Sequence, residues 1–189
     1  MTETDERSPL HWAVMNGDLP LVNKLIQSGD DPNTSDESGW TPLMSAASAG
    51  FAQICDSLLQ AGAKTNIVTK ENRCAFFYAV SRCNIQVIDL FFQNGLANWK
   101  KDKFGMNPLH RAIANQKCST QLLQMFKEND APFDIPDPDG NLPIHIACYE
   151  NRRDLVDWMV KNIGASVKSP KNNEGKVPEQ LFPDVAFNA

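Results

Sequence analysis

Apolar residues recur along the chain in short blocks whose internal spacing is typical of α-helices. Within a block they occupy positions i, i+1, i+4 and i+5, as Leu21, Val22, Leu25 and Ile26 do, which places them on one helical face. Polar residues fill most of the positions between them, so each predicted helix has one face to bury. The blocks predict helices at 19–27, 52–60, 85–93, 119–128 and 153–162.

A recurring tetrapeptide precedes each of these helices. Its copies read Ser8-Pro9-Leu10-His11, Thr41-Pro42-Leu43-Met44, Cys74-Ala75-Phe76-Phe77, Asn107-Pro108-Leu109-His110 and Leu142-Pro143-Ile144-His145, and Val177-Pro178 begins a sixth. The second positions are separated by 33 residues three times and then by 35 residues twice. An alanine follows each complete copy, at Ala13, Ala46, Ala79, Ala112 and Ala147. The repeat length and the motif resemble the ankyrin repeat, whose signature is T-P-L-H-x-A.

This resemblance implies an all-α fold, an ankyrin-repeat solenoid of five helix pairs with β-turn fingers and a sixth partial repeat. Ser8, Thr41 and Asn107 can cap a helix, and a proline suits the first helical turn. The first helices are therefore predicted to begin near residues 9, 42, 75, 108 and 143. We expect a single domain over 1–189, with repeats near 5–37, 38–70, 71–103, 104–138 and 139–173 and a partial repeat at 174–189.

The third repeat departs from the motif. Ala75 stands in the place of proline, Phe77 in that of histidine, and Asn72 in that of the glycine found three residues before the proline in other fingers. Asparagine tolerates the left-handed backbone conformation that such a turn requires. We therefore expect this repeat to fold like the others.

Composition and charge narrow the function. The net charge is −5, which disfavours binding to nucleic acid or to an anionic membrane through the overall field. The five cysteines form no C-x-x-C pair, so we expect reduced thiols in a cytoplasmic or nuclear protein and no metal site. His11, His110 and His145 share one place in the repeat, which indicates structural hydrogen bonds. Cys148 near His145 lacks an evident third orienting group. We predict no catalytic residues, no cofactor and no enzyme activity.

Several segments also resemble gankyrins, the ankyrin-repeat chaperones of the proteasome regulatory particle. They are Arg7–Ala13, Asp36–Leu43, Ala46–Gly50, Asn107–Ala112 and Asp139–Cys148. The resemblance implies binding to the C-terminal domain of one proteasomal ATPase subunit. We also expect the chain to be a monomer on its own. The resemblance also implies that the family's first helix pair and final helix are missing here, as in a short relative or a truncated form.

The same resemblance implies a set of partner-binding residues. They are Asp5, Arg7, Trp12, Glu37, Trp40, Arg82 and Arg111. Tryptophan and arginine are common interface anchors. Trp40 has a second interpretation, packing against the neighbouring finger, and Trp12 has core packing as its alternative. The family's retinoblastoma-binding motif L-x-C-x-E corresponds to Ile146–Glu150, where isoleucine replaces leucine and the segment falls in a predicted helix.

Two other functions compete with the assembly chaperone. One is a generic ankyrin adaptor, or an inhibitor of a kinase or signalling protein, that uses the same surface for a different partner. The other is an enzyme, which the motif analysis disfavours. A pull-down from a lysate separates the chaperone from the adaptor: recovery of proteasomal ATPase subunits favours the chaperone, and recovery of a kinase favours the adaptor.

Overall fold

The computed structural model describes residues 7–167 and 170–182, and every regular element within them is helical. The α-helices are α1 Pro9–Met15, α2 Leu19–Gln27, α3 Pro42–Ala49, α4 Ala52–Gln60, α5 Ala75–Ser81, α6 Ile85–Gln93, α7 Pro108–Ile113, α8 Thr120–Glu128, α9 Pro143–Tyr149, α10 Arg153–Asn162 and α11 Pro178–Leu181. A 3-10 helix, Gly164–Val167, follows α10. The predicted helices are confirmed, and a further short helix, α11, begins at Pro178 in the partial sixth copy of the motif.

The described residues form two compact units. The first comprises residues 7–80 and 84–98, and the second comprises 81–83, 99–167 and 170–182. In the first unit α1 packs against α2 and α3, and α4 packs against α3 and α6. In the second unit α9 packs against α7, α10 and α11. The single domain expected over 1–189 stays a prediction.

The tetrapeptide starts each first helix by the chemistry that its residues suggest. The side chains of Ser8, Thr41 and Asn107 accept hydrogen bonds from the backbone N–H groups three residues later. The proline that follows stands in the first turn, where an N–H group would have no partner within the helix.

The histidines of the motif are buried and hydrogen-bonded. His11 Nε2 lies 3.0 Å from the carbonyl oxygen of Trp40, in the next finger. His110 Nδ1 accepts from the N–H of Asn107, and His145 Nδ1 accepts from the N–H of Leu142. The structural role predicted for these side chains is confirmed, because each ring links a first helix to the loop around it.

The third repeat folds despite its unusual motif. Asn72 has a φ of 61°, so it takes the left-handed conformation that Gly39 takes in the preceding finger at 83°. Residues 75–80 of α5 are all buried, and the Phe76 ring meets Phe91 edge-on with ring centroids 5.8 Å apart. Burial of these aromatic side chains stabilises the third repeat.

Candidate protein-binding surface

An acidic or amide side chain closes four of the finger turns. Asp36 Oδ1 accepts hydrogen bonds from the backbone N–H groups of Ser38 and Trp40, at 3.0 and 2.9 Å. The equivalent residues Asp102, Asp137 and Asn172 accept in the same way two and four residues further on. The sequence analysis missed this place, although an acidic or amide residue recurs six residues before four of the prolines, Pro42, Pro108, Pro143 and Pro178. These turns fix the loops that carry the candidate binding residues.

In the first unit, Arg7 connects a finger to the exposed face of α1. Its Nε lies 3.5 Å from Asp36 Oδ2, and its guanidinium carbon lies 5.9 Å from the centroid of the Trp12 ring. A guanidinium N–H also donates to the sulfur of Met15, at 3.3 Å. Asp36 therefore orients Arg7, and Arg7 in turn lies against the two apolar side chains of α1.

Trp12 and Met15 form an exposed apolar pair on α1. Their exposed fractions are 43% and 45%, high values for side chains of this size. The core-packing alternative for Trp12 is wrong, because the buried positions of this helix are Leu10, His11, Ala13 and Val14. Trp12 is thus an exposed indole with one face against the Arg7 guanidinium.

Trp40 has a different environment. It is half-buried, and its ring lies 4.2 Å from that of Tyr78 in α5, measured between centroids, with the planes inclined by 32°. Its backbone N–H and carbonyl are held by Asp36 and His11. Trp40 therefore packs within the first unit, as its alternative interpretation held, although the ring contact is with a helix rather than with a finger.

Glu37 is exposed beside Asp36 in the same finger, and Asp5 lies outside the described residues. The finger 30–41 holds four carboxylates and no lysine or arginine. Any partner segment that meets this finger therefore meets an acidic loop next to one arginine, Arg7.

In the second unit, Arg111 leaves α7 toward the finger before it. Its Nη2 lies 3.5 Å from Asp102 Oδ2, while the Asp102 side chain is fully buried and that of Arg111 is 39% exposed. A buried carboxylate thus positions a half-exposed guanidinium, an arrangement related to the pairing of Arg7 with Asp36. Arg82 follows directly after α5 and is exposed.

The second unit also carries a basic finger that the sequence analysis did not select. Lys100, Lys101 and Lys103 are exposed around Phe104, which has an exposed fraction of 53%. The Lys103 ammonium lies 5.1 Å from the Phe104 ring centroid, and Lys101 Nζ donates to the carbonyl of Pro136 at 2.8 Å. The signal in the sequence is the run Lys100-Lys101-Asp102-Lys103-Phe104, whose charge differs from that of the acidic finger 30–41.

Comparison with known families places these features in context. The family profile described as Ankyrin repeats (3 copies) matches residues 10–102 and 84–171. The chain belongs to the ankyrin-repeat family. Ankyrin repeats mediate protein–protein interaction, and the proteins that carry them are generally non-catalytic scaffolds.

Relatives of several kinds resemble this chain, among them proteasome regulatory subunits and inversins. It is 28% identical over 193 residues to the probable 26S proteasome regulatory subunit p28 of Saccharomyces cerevisiae, covering 98% of this chain and 81% of the yeast protein. The 26S proteasome non-ATPase regulatory subunit 10 of Dictyostelium discoideum is 45% identical over 62 residues, 32% of this chain and 27% of that protein. Inversin of Canis lupus familiaris is 30% identical over 175 residues, which span 90% of this chain but only 16% of inversin.

The Cys148 thiol and the His145 imidazole are engaged in structural hydrogen bonds. Burial raises the pKa of the Cys148 thiol to about 12, and this thiol donates to the carbonyl of Pro178 at 3.8 Å. Burial lowers the pKa of His145, whose two ring nitrogens meet backbone groups of Leu142 and Lys176. Neither change activates a nucleophile at neutral pH.

The described part of the chain also lacks two features. No group of three or more His, Cys, Asp or Glu side chains within it is arranged to hold a metal ion. No helix in the same residues is both long and apolar enough to cross a membrane.

Proposed function

We propose that this chain is a non-catalytic scaffold that binds the C-terminal domain of a proteasomal ATPase subunit and acts as a chaperone in assembly of the proteasome regulatory particle. The observation that carries the proposal is the exposed Trp12, which Arg7 covers on one side and Asp36 orients through that arginine. Preordered aromatic and arginine side chains at an exposed surface are typical anchors of protein interfaces.

The identity of the partner rests on similarity. The yeast relative aligned over 98% of this chain is named as a probable proteasome regulatory subunit, and the Dictyostelium relative as a non-ATPase regulatory subunit. We extend that association to this chain, with the ATPase C-terminal domain as the bound element. The protein would act as a monomer in the cytoplasm and nucleus, with no nucleic acid, membrane or cofactor involved.

The proposed contact residues are assigned to each unit separately. They are Arg7, Trp12, Glu37 and Trp40 in the first unit, Arg82 and Arg111 in the second, and Asp5 before the described residues. Trp12 is expected to contribute most, because a large exposed aromatic ring gains the most from removal from water. Trp40 is expected to act mainly by holding the finger that presents Glu37.

The test is calorimetric titration of the chain with purified C-terminal domains of the proteasomal ATPase subunits. One domain should bind, and Trp12→Ala should raise the Kd at least about tenfold, as loss of an interface anchor does. Leu21→Ala is the matched control, since Leu21 on α2 is a similarly exposed apolar side chain, at 40%. Equal effects of both variants, or no binding to any domain, would contradict the proposal.

The adaptor alternative remains because the chain also resembles inversins, ankyrin-repeat relatives that are not named as proteasome subunits. Capture of a kinase or signalling protein from a lysate, with no proteasomal subunit and with loss of capture in Trp12→Ala, would favour an adaptor or inhibitor that uses the same α1 surface.

A further inference from the structure

The basic finger of the second unit, residues 99–107, holds its exposed aromatic residue on a rigid turn. The backbone N–H of Phe104 donates to Oδ1 of Asp102, a buried carboxylate, at 3.0 Å. Gly105 follows with a φ of 76°, and a Cβ placed on it would lie 2.6 Å from Cγ of Pro138 in the next finger. The Phe104 backbone is therefore fixed from two sides, although the residue itself is 53% exposed.

Three lysines accompany Phe104 in this finger. Lys103 Nζ is 5.1 Å from the ring centroid, and Lys100 and Lys101 are exposed nearby in the sequence. Lys101 Nζ donates to the carbonyl oxygen of Pro136 at 2.8 Å, which holds this lysine against the next finger. A partner that covers Phe104 gains free energy by removing an apolar ring from water, and the lysines favour negative charge beside that contact.

The next finger, residues 131–142, has the opposite charge. Asp134 and Asp139 are exposed there, and the finger contains no lysine or arginine. Its remaining aspartate, Asp137, is buried and closes the turn. Because the two fingers meet at Pro138, a cationic and an anionic surface lie side by side within the second unit. A segment that crosses both fingers meets lysines on one and carboxylates on the other.

We propose that these two fingers bind a protein segment in which an acidic stretch with an apolar side chain lies on the basic finger and a basic residue lies on the acidic finger beside it. Phe104 is the apolar anchor of this site, and the charges of the two fingers select the segment and its register. The site extends the proposed function and rests on it only for the identity of the partner.

A nucleic acid fits this surface less well than a protein segment does. Its phosphates would meet Lys100 and Lys103, but the same strand would then approach Asp134 and Asp139, and the chain carries a net charge of −5. A polypeptide can place positive and negative side chains along one segment, whereas a phosphate backbone is negative throughout. Charge complementarity therefore supports a protein segment as the occupant.

Labelled synthetic peptides test the site by fluorescence anisotropy at low salt. The block peptide has glutamates around one leucine followed by lysines, the alternating peptide has the same composition with its charges interleaved, and the serine peptide has serine in place of the leucine. We expect the block peptide to bind with a Kd at least about tenfold lower than either of the others. Equal Kd values for the three peptides, no binding of the block peptide, or tighter binding of a single-stranded oligonucleotide would overturn the proposal.

Phe104→Ser measures the contribution of the ring. It should raise the Kd of the block peptide at least about tenfold, because the apolar contact is lost. Ile85→Ser is the matched control, since Ile85 on α6 in the first unit is also exposed, at 40%. Both variants should unfold at nearly the wild-type urea concentration, because neither residue is buried. Equal Kd values for the two variants would contradict the role assigned to Phe104.

Charge variants test the register of the bound segment. Lys100→Glu with Lys103→Glu should abolish binding of the block peptide, while Lys101 is kept because it holds the two fingers together. An all-acidic peptide with the same leucine should bind the wild-type chain more weakly than the block peptide does. Asp134→Ser with Asp139→Ser should remove that difference. A lysine variant that binds the block peptide with the wild-type Kd, or an aspartate variant that still discriminates against the all-acidic peptide, would show that the assigned register is wrong.

The purified C-terminal domains of the ATPase subunits distinguish failure of this site from failure of the proposed function. A domain that binds the wild-type chain should lose affinity both in Trp12→Ala and in Phe104→Ser. Loss in Trp12→Ala alone would overturn the finger site and leave the proposed function intact. Binding of the block peptide without binding of any domain would support the finger site and contradict the proposed partner.

Discussion

The two units use one repeat pattern to present different surfaces. In the first unit an exposed tryptophan and methionine lie beside a finger, 30–41, that contains only acidic charges. In the second unit the finger 99–107 carries three lysines and an exposed phenylalanine, and its one aspartate is buried. Residues that specify the repeat are nearly the same in both, so the difference lies in positions that the fold leaves unconstrained.

The comparison separates residues that build a finger from residues that present a surface. Asp36 and Asp102 close their turns through the same backbone hydrogen bonds, and each also holds an arginine. Only the aromatic and charged neighbours differ. The chemistry offered to a partner can thus change without a change in the framework, which is how ankyrin repeats come to serve many partners.

The largest expected effect comes from removing the buried aspartate of the second unit. Asp102→Ala leaves the N–H groups of Phe104 and Met106 without an acceptor and leaves Arg111 without its carboxylate. We expect a loss of about 3 kcal/mol in the free energy of unfolding, measured by urea denaturation. Asp36→Ala should cost less, about 1.5 kcal/mol, because Asp36 is partly exposed and water can replace it.

The chain supplies a control for this prediction. Asn172 closes the last finger turn in place of aspartate, with its Oδ1 accepting from the N–H groups of Glu174 and Lys176. Asp102→Asn should therefore keep the turn and lose only the ion pair with Arg111. A variant as unstable as Asp102→Ala would show that the charge, and not the turn, stabilises this finger.

A smaller loss is expected from Trp40→Ala in the first unit. The Trp40 ring stacks on Tyr78, and a half-buried aromatic pair contributes about 2 kcal/mol through burial and ring contact. A double-mutant cycle with Tyr78→Leu measures the coupling by urea denaturation. Additive losses would mean that the two rings do not stabilise each other. The role of Trp40 would then have to be sought in partner binding instead.

The framework could be predicted from the sequence because each of its residues has a local physical role. Helix starts at Pro9, Pro42 and Pro108 follow from a capping side chain and a fixed φ, and neither depends on distant contacts. Asn72 was identified as a left-handed residue for the same reason. Repetition then turns a weak local signal into a reliable one, since the copies agree.

The surface could be predicted less completely from the sequence. Whether a side chain is exposed depends on residues that pack against it from other repeats, and the repeat motif does not specify them. Trp12 and Trp40 are both tryptophans near a finger, yet one is exposed and the other is stacked on Tyr78. Tyr78 and Trp12 occupy the same place three residues after the motif's second position, but Tyr78 is buried and the Trp40 ring lies against it, whereas Trp12 is exposed.

The second unit should lose stability as the solution becomes mildly acidic. Burial lowers the pKa of His110 and His145 in the folded chain, although the charge of Asp137 acts in the opposite direction. The unfolded chain therefore binds protons first, near pH 6.5, and stability present above that pH is lost below it. Each histidine contributes a slope of at most about 1.4 kcal/mol per pH unit.

Urea denaturation between pH 7.5 and 5.5 measures this slope. A His110→Gln, His145→Gln double variant should be less stable at pH 7.5 but should have a shallower dependence on pH than the wild-type chain. An unchanged slope would assign the pH dependence to other groups and leave the two histidines as hydrogen-bonding residues only.

The smallest expected effect distinguishes the charged fingers during binding. If the proposed partner is complementary to the basic finger, Lys100→Ser with Lys103→Ser should weaken binding about threefold at low salt, because exposed charges contribute little individually. Asp31→Asn with Glu37→Gln makes the opposite change in the first unit's finger. Both differences should vanish near 0.5 M salt, where charges more than a few ångströms apart are screened.

Lys127→Ser on α8 is the matched control, an exposed lysine of the second unit on a second helix. A salt-independent loss in the lysine variant would indicate that the lysine stems, and not their charges, contact the partner. An effect confined to one pair of variants would show which unit's finger contacts the partner through its charges. The difference in charge between the two fingers would then determine where the partner binds.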